Sequence, residues 1–272
     1  MRIPFTKMHG AGNDFVVIDE RSGAFGLTPA QFAWIADRRR GIGCDQVILL
    51  QADRQAEVFV RFVNSDGSEA GACGNGSRCV AALVSAETGR GEVSMRTLGG
   101  RLTASMLGPY SARVDLGEPR LDWRDIPLSE PADTLHVELG GQEAVACSMG
   151  NPHATLFVDD LDAVDVAGLG ARLEWHPMFP QGANIGFAQR LSDTALRLLV
   201  WERGAGLTLA CGSGACATLV NAHRRGLVGR RAEIEMPGGV LEVEWTQAGR
   251  VLLTGPVASA FTGSLALGDL PA

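Results

Sequence analysis

Lysine is almost absent from this chain: of its 24 basic residues only Lys7 is a lysine, and the rest are arginines. Enzymes that use pyridoxal phosphate hold it as a Schiff base on a lysine. No glycine-rich phosphate-binding motif accompanies Lys7. Pyridoxal chemistry is therefore disfavoured, and we expect the protein to work without a cofactor.

Long apolar runs and an excess of positive charge are also missing. No uninterrupted stretch reaches the roughly 18–20 apolar residues of a membrane-spanning helix, and the segment Met1–Lys7 lacks the apolar core of a signal peptide. With 31 acidic against 24 basic residues the formal net charge is −7, which disfavours a nucleic-acid or anionic-membrane surface. We expect a cytoplasmic protein with neither kind of partner, although a local site could still bind a small anion.

The six cysteines contain no closely spaced Cys-x-x-Cys pair, which a thiol–disulfide redox protein would favour. They do not group with histidines as the ligands of a zinc site do, so no metal is expected. Without a secretory signal we expect free thiols. Cys44, Cys79, Cys147 and Cys216 are interpreted as small buried residues, which leaves Cys73 and Cys211 for chemistry.

The chain contains one short motif twice. Ala72-Cys-Gly-Asn-Gly76 returns as Ala210-Cys-Gly-Ser-Gly214, 138 positions later in a chain of 272. The same offset relates further polar residues, namely Asn13 to Asn151, Gln46 to Asn184 and Asn64 to Glu202. The pattern predicts two equivalent halves that arose by duplication and face each other across a pseudo-twofold axis. Coincidence among glycine-rich turns is the alternative, since glycine accounts for 35 residues.

The coarse pattern predicts an α/β chain of the α+β kind. A helix is expected from Thr28 to Arg40, and one after each repeated cysteine, over 74–88 and 212–225. The last two are apolar on nearly all sides and should be buried. Short runs, many of them alternating, predict partly antiparallel strands at 14–19, 46–50, 57–63, 92–97, 112–116, 143–149, 154–158, 184–189, 196–202, 232–236, 240–245 and 251–254.

Each half should therefore be a mixed, largely antiparallel strand barrel around one central buried helix, with the active site in the cleft between two pseudo-symmetric domains. A stretch rich in proline and acidic residues begins near Gly117 and marks a boundary. The predicted domains are 1–117, which carries Cys73, and 118–261, which carries Cys211. The tail, 262–272, is expected to pack on the first domain.

Both repeated thiols stand just before a predicted buried helix. Unpaired backbone amides and the helix dipole make that position an anion site, and we expect them to lower the pKa of both thiols. Two such helix ends facing one carboxylate would place Cys73 and Cys211 on opposite sides of its α-carbon. One thiolate could then remove the α-proton while the other thiol protonates the opposite face. A cysteine nucleophile with His153 as base would explain one thiol but not the matched second.

Seven segments carry a family resemblance when they are taken together: Lys7-Met-His-Gly-Ala-Gly-Asn-Asp-Phe15, Gly41-Ile-Gly-Cys-Asp-Gln46, Asn64-Ser-Asp-Gly67, Ala72-Cys-Gly-Asn-Gly-Ser-Arg78, Gly150-Asn-Pro-His153, Asn184 and the stretch from Trp201 to Cys216. They resemble the diaminopimelate epimerases, over nearly the whole chain. The resemblance implies cofactor-independent conversion of LL- to meso-2,6-diaminopimelate, in lysine and peptidoglycan precursor biosynthesis. It also implies two similar α/β domains and a homodimer, although Phe261 stands where some members have a tyrosine that helps dimerisation.

By the same resemblance, Cys73 and Cys211 are the acid/base pair, and His153 and Glu202 assist near the reacting centre. Arg203 offers a planar fork for a distal carboxylate, and amide oxygens accept from a distal ammonium. The reacting carboxylate would be held by Gly74, Asn75, Gly212 and Ser213, and the substrate site would be lined by Asn13, Gln46, Asn64, Asn151, Asn184, Glu202 and Arg203.

Other interpretations of these residues stay open. Asn13 and Asn151 follow glycines and could be turn residues. Glu202 and Arg203 could form a surface ion pair, and His153 could be a satisfied loop histidine. A racemase for a proline- or hydroxyproline-type amino acid, or a non-catalytic amino-acid-binding protein, would use the same scaffold. The distal arginine disfavours the first of these, and the matched second cysteine disfavours the second.

Overall fold

A computed structural model describes residues 2–271 and shows a mixed α+β chain, which confirms the predicted fold class. The chain separates into two compact units, of which residues 2–114 with 255–271 form the first and residues 115–254 form the second. The second unit is therefore inserted into the sequence of the first. In residues 2–271 no helix has the length and apolar character that crossing a membrane requires.

The first unit contains a mixed sheet and two helices. Its sheet order is β18–β1–β2–β3–β4–β6–β7, with β5 beside β4 and parallel pairing at β2–β3 and β4–β6. Helix α2 contacts β1 and β2 as well as β6 and β7, so the sheet curves around it. The elements are β1 (Arg2–Gly10), β2 (Asn13–Asp19), α1 (Pro29–Ala36), β3 (Gln46–Gln51), β4 (Val58–Asn64), β5 (Glu69–Ala70), α2 (Gly74–Thr88), β6 (Glu92–Thr97), β7 (Gly100–Gly108), β8 (Ser111–Asp115) and β18 (Ala258–Ala266).

The second unit repeats this plan. Its sheet order is β9–β10–β11–β12–β13–β15–β16–β17, with β14 beside β13 and parallel pairing at β11–β12 and β13–β15. Helix α4 contacts β10 to β13, β15 and β16. The elements are β9 (Val137–Glu138), β10 (Glu143–Ser148), β11 (Pro152–Val158), α3 (Val166–Leu173), β12 (Asn184–Ser192), β13 (Ala195–Glu202), β14 (Gly206–Leu207), α4 (Gly212–Arg224), β15 (Arg231–Met236), β16 (Gly239–Trp245) and β17 (Val251–Pro256).

The two units agree in strand register as well as in strand order. Val47 lies opposite Val63 in the first unit, and Ile185 lies opposite Trp201 in the second, so both partners keep the offset of 138. After the central helices the register slips by one residue, because Leu196 pairs with Ile234 where the same offset would select Glu233. Equivalent halves, predicted from the repeated pentapeptide, are thus confirmed by the pairing inside each unit.

Strand β3 is covered on both faces, and its residues are apolar without alternation. Val47 and Leu49 pack in one cluster with Phe32 of α1. On the other face, a Cβ added to Gly76 of α2 would lie 3.0 Å from Ile48 Cδ1. A strand buried on both faces reads as a continuous apolar run, which explains the absence of a period of two in this segment.

The central helices begin at the repeated cysteines, as predicted. Cys73 is the N-cap of α2 and Cys211 the N-cap of α4, each in an extended conformation with its sulfur accepting a hydrogen bond from the third helical amide. Helix α2 ends at Thr88 because Gly89 adopts a φ of 71°, which favours glycine. Helix α4 ends at Arg224, one residue earlier than predicted.

Helix α1 is shorter than predicted, ending at Ala36 rather than at Arg40. The cause is Asp37, whose carboxylate accepts hydrogen bonds of 2.8 Å from the backbone N–H groups of both Arg39 and Arg40. An aspartate that binds the amides two and three residues ahead offers the backbone an alternative to the helix. The following residues therefore form a turn.

Helix α3 was not predicted, because Gly168 and Gly170 lower its intrinsic helix propensity. Asp165 caps it by accepting a 2.9 Å hydrogen bond from the Gly168 amide. Packing explains the second glycine, since a Cβ at Gly170 would lie 2.6 Å from the Cβ of Trp201. All twelve predicted strands are present, but β1, β7, β18 and the two-residue strands β5, β9 and β14 were missed, since polar and small residues interrupt their apolar pattern.

The close contact of α2 with its sheet gives a stability prediction. A Cβ at Gly76 would lie 2.7 Å from Phe62 Cε1, so Gly76→Ala should lower the free energy of unfolding by about 1–3 kcal/mol, as overpacked core substitutions do. Gly91→Ala is the matched control, because nothing lies within 4 Å of its added methyl. Urea denaturation compares the two variants, and equal stabilities would contradict the packing.

Candidate active site

Cys73 has a polar environment at the start of α2. Its sulfur accepts a 3.3 Å hydrogen bond from the Gly76 amide and lies 4.0 Å from Asn13 Oδ1, toward which the thiol donates. Asn75 Nδ2 donates to the same Asn13 oxygen at 3.2 Å. The thiol is partly exposed. The first unit therefore brings three of the predicted site residues into one hydrogen-bonded group.

The side chain of Asn13 is oriented by an ionic network that the sequence did not reveal. Its Nδ2 donates to Asp45 Oδ2 at 2.7 Å, and Asp45 in turn accepts from Arg38 Nη2 at 2.7 Å. A carboxylate can only accept, so the amide oxygen of Asn13 must face Cys73. Burial opposes ionisation of Asp14, but hydrogen bonds from Arg38 and Lys7 outweigh it and hold the pKa of Asp14 at about 2.

Lys7 is part of this network. Its ammonium donates to the Asp14 carboxylate and to the Gly43 carbonyl. The one lysine of the chain is therefore engaged in structural contacts. Within residues 2–271 no three histidine, cysteine, aspartate or glutamate side chains converge as metal ligands would.

Gln46 and Asn64 lie side by side at the ends of β3 and β4, where they are register partners. Gln46 Nε2 donates to Asn64 Oδ1 at 2.8 Å, and Asn64 Nδ2 donates to Ser68 Oγ at 3.0 Å. Within residues 2–271, Gln46 Oε1 is buried and accepts no hydrogen bond. Because buried acceptors are nearly always satisfied, this oxygen suits a donor such as a substrate ammonium.

Cys211 differs from Cys73 in being buried, with 4% exposure. Its sulfur accepts a 3.4 Å hydrogen bond from the Gly214 amide and lies 3.7 Å from Ser213 Oγ. Burial, reinforced by the charge of Glu202, raises the pKa of Cys211 well above its ordinary value, although Ser213 and Gly214 act in the opposite direction. The predicted lowering of the pKa is therefore wrong for Cys211, because the loss of water outweighs the helix end.

Glu202 lies at the end of β13 and is held by a residue that the sequence analysis missed. The Thr208 hydroxyl donates a hydrogen bond to Glu202 Oε1. The two residues are close because β13 turns back through Gly206 into β14. A short Glu-to-Thr spacing across a glycine-rich turn is the signal that could have found Thr208.

His153 is buried, with 2% exposure, and its Nε2 lies 3.0 Å from Asn151 Oδ1. Burial, reinforced by the nearby charge of Arg203, lowers the pKa of His153 to about 3. The imidazole is therefore neutral near pH 7. Because an amide oxygen only accepts, Nε2 carries the proton and donates to Asn151.

Arg203 and Asn184 are joined through the backbone. Asn184 Oδ1 accepts from the Arg203 amide at 3.1 Å, while Asn184 Nδ2 donates to the Pro152 carbonyl at 3.1 Å. The Arg203 guanidinium donates through Nη1 to the Gln181 carbonyl at 2.7 Å. Asn184 thus ties together the two segments that carry His153 and Arg203.

A cavity of about 330 Å³ adjoins this part of the second unit, and Asn151 and Arg203 line it. Two further arginines that the sequence analysis missed, Arg120 and Arg124, line it as well. Three arginines against one carboxylate residue, Asp125, line the cavity, and this excess of positive charge suits an anionic group. A larger recess of about 600 Å³ lies elsewhere on the unit, beside Phe157 and Leu191, and contains none of the predicted site residues.

The predicted residues therefore form local groups within each unit. In the first unit the groups are Asn13, Cys73 and Asn75, with Gly74 opening the helix, and separately Gln46 and Asn64. In the second unit they are Glu202, Cys211 and Ser213, with Gly212 opening the helix, and Asn151, His153, Asn184 and Arg203. The arrangement offers two capped thiols, helix-end amides, a neutral histidine and an arginine beside a cavity.

This chain is similar to known proteins in its fold and in its sequence. The solved hydroxyproline epimerase of Agrobacterium vitis, with bound trans-4-hydroxy-L-proline, has the same fold, with a TM-score of 0.71 over 98% of this chain and 91% of that chain at 19% identity. This likeness defines the class of fold alone. The diaminopimelate epimerase family model matches residues 5–121 and 145–259.

Individual relatives agree with the family match. The diaminopimelate epimerase of Acidiphilium cryptum is 58% identical over 96% of both chains, and that of Rhodospirillum centenum is 54% identical over 98% of this chain and 94% of its own. The chain belongs to the diaminopimelate epimerase family, and it is therefore an isomerase. The resemblance inferred from its motifs is confirmed.

His153 gives a pH test of this buried region. Its pKa of about 3 lies below the ordinary 6.5, so the unfolded chain takes up the proton first as the pH falls. The stability that His153 contributes is complete above about pH 6.5 and is lost toward pH 3, with a loss of ~2 kcal/mol at pH 5.

His153→Gln should reduce this loss, as measured by urea denaturation at pH 5 and pH 7. His9→Gln is the control, because it removes an exposed histidine. An unchanged pH dependence in His153→Gln would show that the native ring is not buried and neutral.

Proposed function

We propose that the protein interconverts LL- and meso-2,6-diaminopimelate by removing a proton from one face of an α-carbon and returning a proton to the other face. The observation that carries the proposal is the matched pair of thiols, since Cys73 and Cys211 each cap a buried helix. The substrate follows from the relatives, which are called diaminopimelate epimerases at up to 58% identity. The reaction serves lysine and peptidoglycan precursor biosynthesis.

In this proposal the two units take the place of the predicted domains, except that residues 255–261 belong to the first unit rather than the second and residues 115–117 to the second rather than the first, and each unit contributes one thiol to the substrate site. The reacting carboxylate of the substrate binds at the N-termini of both central helices, next to Gly74 and Asn75 on one side and Gly212 and Ser213 on the other. The first amides of a helix have no intrahelical acceptor. These amides stabilise the carboxylate more strongly as it takes on enediolate character. They thereby lower the principal barrier to removing an α-proton, which is the formation of the carbanion.

The proton balance requires one thiolate and one thiol at the start of a turnover. Because burial and Glu202 raise the pKa of Cys211, Cys211 keeps its proton as the thiol. Cys73, whose thiol donates toward Asn13 Oδ1 in the free protein, releases its proton to solvent before turnover and acts as the thiolate. The Cys73 sulfur takes the α-proton, the C–H electron pair passes into the carboxylate, and the Cys211 thiol protonates the opposite face. Cys73 is then the thiol and Cys211 the thiolate, ready for the reverse reaction.

Glu202 and His153 assist at the reacting centre. The Glu202 carboxylate, oriented by Thr208, accepts from the α-ammonium and keeps the proton on Cys211 until the carbanion forms. His153 is neutral and directs its Nε2 proton at Asn151. The neutral imidazole orients the Asn151 side chain. It adds no positive charge, which would otherwise form an ion pair with a thiolate and make it a weaker base.

The distal end of the substrate carries its own carboxylate and ammonium. Arg203 binds the distal carboxylate, because a guanidinium matches a carboxylate in two parallel hydrogen bonds. Amide oxygens bind the ammonium, and the unsatisfied oxygen of Gln46 is one of them, with Asn13, Asn64, Asn151 and Asn184 lining the same site. No lysine is available for a Schiff base, because Lys7 is engaged by Asp14 and Gly43, so the reaction proceeds without pyridoxal phosphate.

Three features of cellular context belong to the proposal. The protein is placed in the cytoplasm, where thiols stay reduced, because its six cysteines are free thiols. A homodimer is supported by β18, most of whose residues are exposed and whose described pairing is with β1 alone. With a net charge of −7, nucleic acid is not a partner.

The thiol pair predicts a specific loss of activity. Cys73→Ala and Cys211→Ala should each lower epimerisation of LL-diaminopimelate by at least about 10²–10⁴-fold, the usual contribution of a general acid or base. Cys44→Ala, which removes a buried thiol outside the site, is the control. Nuclear magnetic resonance in deuterium oxide follows both α-proton exchange and the appearance of the meso isomer.

Each outcome of that experiment is informative. Exchange without inversion in one single variant would fit a lone remaining base. Near-normal turnover in either variant would exclude the two-base mechanism, and a folded wild type that catalyses neither exchange nor inversion would exclude the function. Hydroxyproline, tested in parallel, identifies the alternative substrate class.

The proposed dimer predicts a change in mass. Phe261 is 51% exposed and packs edge-on against Phe5, with ring centroids 6.1 Å apart. Phe261→Asp should convert the dimer to a monomer, as measured by light scattering after gel filtration. Leu107→Asp is the control, since Leu107 is also 51% exposed and lies on another strand of the same unit. A monomeric wild type, or a dimeric Phe261→Asp, would contradict the proposed interface.

A further inference from the structure

We propose that Glu174 is a positioning residue for Arg203 and thereby sets the preference for a substrate with a distal carboxylate. The inference rests on the proposed epimerase function and deepens it. Glu174 follows α3 and is buried, with 7% exposure. It is not one of the residues to which the motifs assign a role, and a buried carboxylate needs a reason, because leaving water costs it several kcal/mol unless it gains hydrogen bonds.

Both oxygens of Glu174 hold the turn that carries Glu202 and Arg203. Oε2 accepts from Trp201 Nε1 at 2.7 Å, and Oε1 accepts from the Gly204 amide at 2.8 Å. The two donors lie on either side of Glu202 and Arg203 in the sequence. One carboxylate therefore pins the turn both before and after Arg203, whereas the Glu202 side chain is held separately by the Thr208 hydroxyl.

The backbone of Glu174 holds the same region from the other side. Its carbonyl accepts from the Ala183 amide at 2.9 Å, which closes the segment 174–183. The carbonyls of Gln181 and Gly182 then accept from Arg203 Nη1 at 2.7 Å and 3.5 Å. The Arg203 side chain is thus held on the loop that Glu174 closes, and the Glu174 carboxylate holds the amide of the next residue, Gly204.

Arg203 is exposed, so its carbonyl contacts and its packing against Gly182 are what restrict its side chain. Gly182 has a φ of +69°, and a Cβ there would lie 3.0 Å from both Arg203 Cδ and the Trp175 ring. In residues 2–271, only Nη1 of the Arg203 guanidinium has a hydrogen-bond partner. Nε and Nη2 therefore remain for a carboxylate in or beside the cavity that Arg203 lines. An arginine ordered in advance binds that carboxylate without first losing its rotamer freedom.

We call the two hydrogen bonds that the Glu174 carboxylate accepts the carboxylate clamp. The first unit has no carboxylate at the equivalent position. The residue 138 positions before Glu174 is Ala36, which has no polar side chain, and the equivalents of Arg203 and Gly204 are Ser65 and Asp66. The turn of the first unit is instead held by Asp66 itself, which accepts from the Ser68 amide at 2.8 Å. The carboxylate clamp and the distal arginine thus occur together in the half that carries Arg203, which supports a shared role.

Glu174→Gln tests the inference with little change in volume. The glutamine oxygen can still accept from one donor, but its amide nitrogen cannot accept from the second, so the turn loosens. We expect KM for LL-diaminopimelate to rise about tenfold, the usual effect of losing one hydrogen bond to a charged group, with kcat within about threefold of the wild type. Glu130→Gln, an exposed glutamate of the same unit, should retain the wild-type values.

A substrate analogue separates positioning from general damage. L-Lysine has the distal ammonium but no distal carboxylate, so its slow α-proton exchange should be the same in wild type and Glu174→Gln. In an Arg203→Ala background, Glu174→Gln should have no further effect on KM, because the two residues act through one contact. Trp201→Phe, which removes one donor and leaves Glu174, should give a smaller rise in KM, and it provides a second variant if Glu174→Gln does not fold.

The results distinguish the inference from the function on which it rests. A wild-type KM in folded Glu174→Gln, or equal losses with diaminopimelate and lysine, would overturn the positioning role while the epimerase assignment stands. Additive effects of Glu174→Gln and Arg203→Ala would also overturn it. An inactive wild type would remove the function and the inference together.

Discussion

The structure depends on a cysteine sulfur serving as the cap of a buried helix. An N-cap side chain has to accept a hydrogen bond from the first turn, and the sulfurs of Cys73 and Cys211 do so at 3.3 Å and 3.4 Å. Both helices lack a polar face, so the sheet of each unit must surround them. The same requirement that buries the helix therefore places a thiol beside the first helical amides, partly exposed at Cys73 and buried at Cys211.

Each unit carries one copy of this cysteine-capped helix, and the surroundings of the two copies differ. Cys73 is partly exposed beside Asn13, which Asp45 orients. Cys211 is buried beside Glu202, and burial together with this carboxylate raises its pKa. The proposed two-base reaction needs such a difference, because one thiol must begin with a proton and the other without one. Arg203 and the Glu174 carboxylate that holds its turn occur in the second unit only, in keeping with the proposed substrate, whose two ends have different tasks.

Local features were predictable where one residue type decides the conformation. The two cysteine helices and twelve strands followed from apolar pattern, and Gly89 ended α2 where expected. Prediction failed where a long-range contact overrides propensity. Helix α3 forms despite two glycines because Gly170 packs against Trp201, and the pKa of Cys211 rises because burial, which the sequence does not measure, exceeds the effect of the helix end. Glu174 and Asp45 were missed because their partners are distant in sequence.

The sequence by itself determined the duplication, the two thiols at helix starts, the mixed fold and the family, since these depend on residue identity and spacing along the chain. Only the tertiary structure decided which thiol is buried, which way Asn13 and His153 direct their polar atoms, and which carboxylate holds the turn that carries Arg203. The physical reason is that pKa values and hydrogen-bond orientation depend on solvent exclusion and on neighbours brought together by folding. The offset of 138 is visible in the sequence, but the difference between the two halves arises from what surrounds each residue.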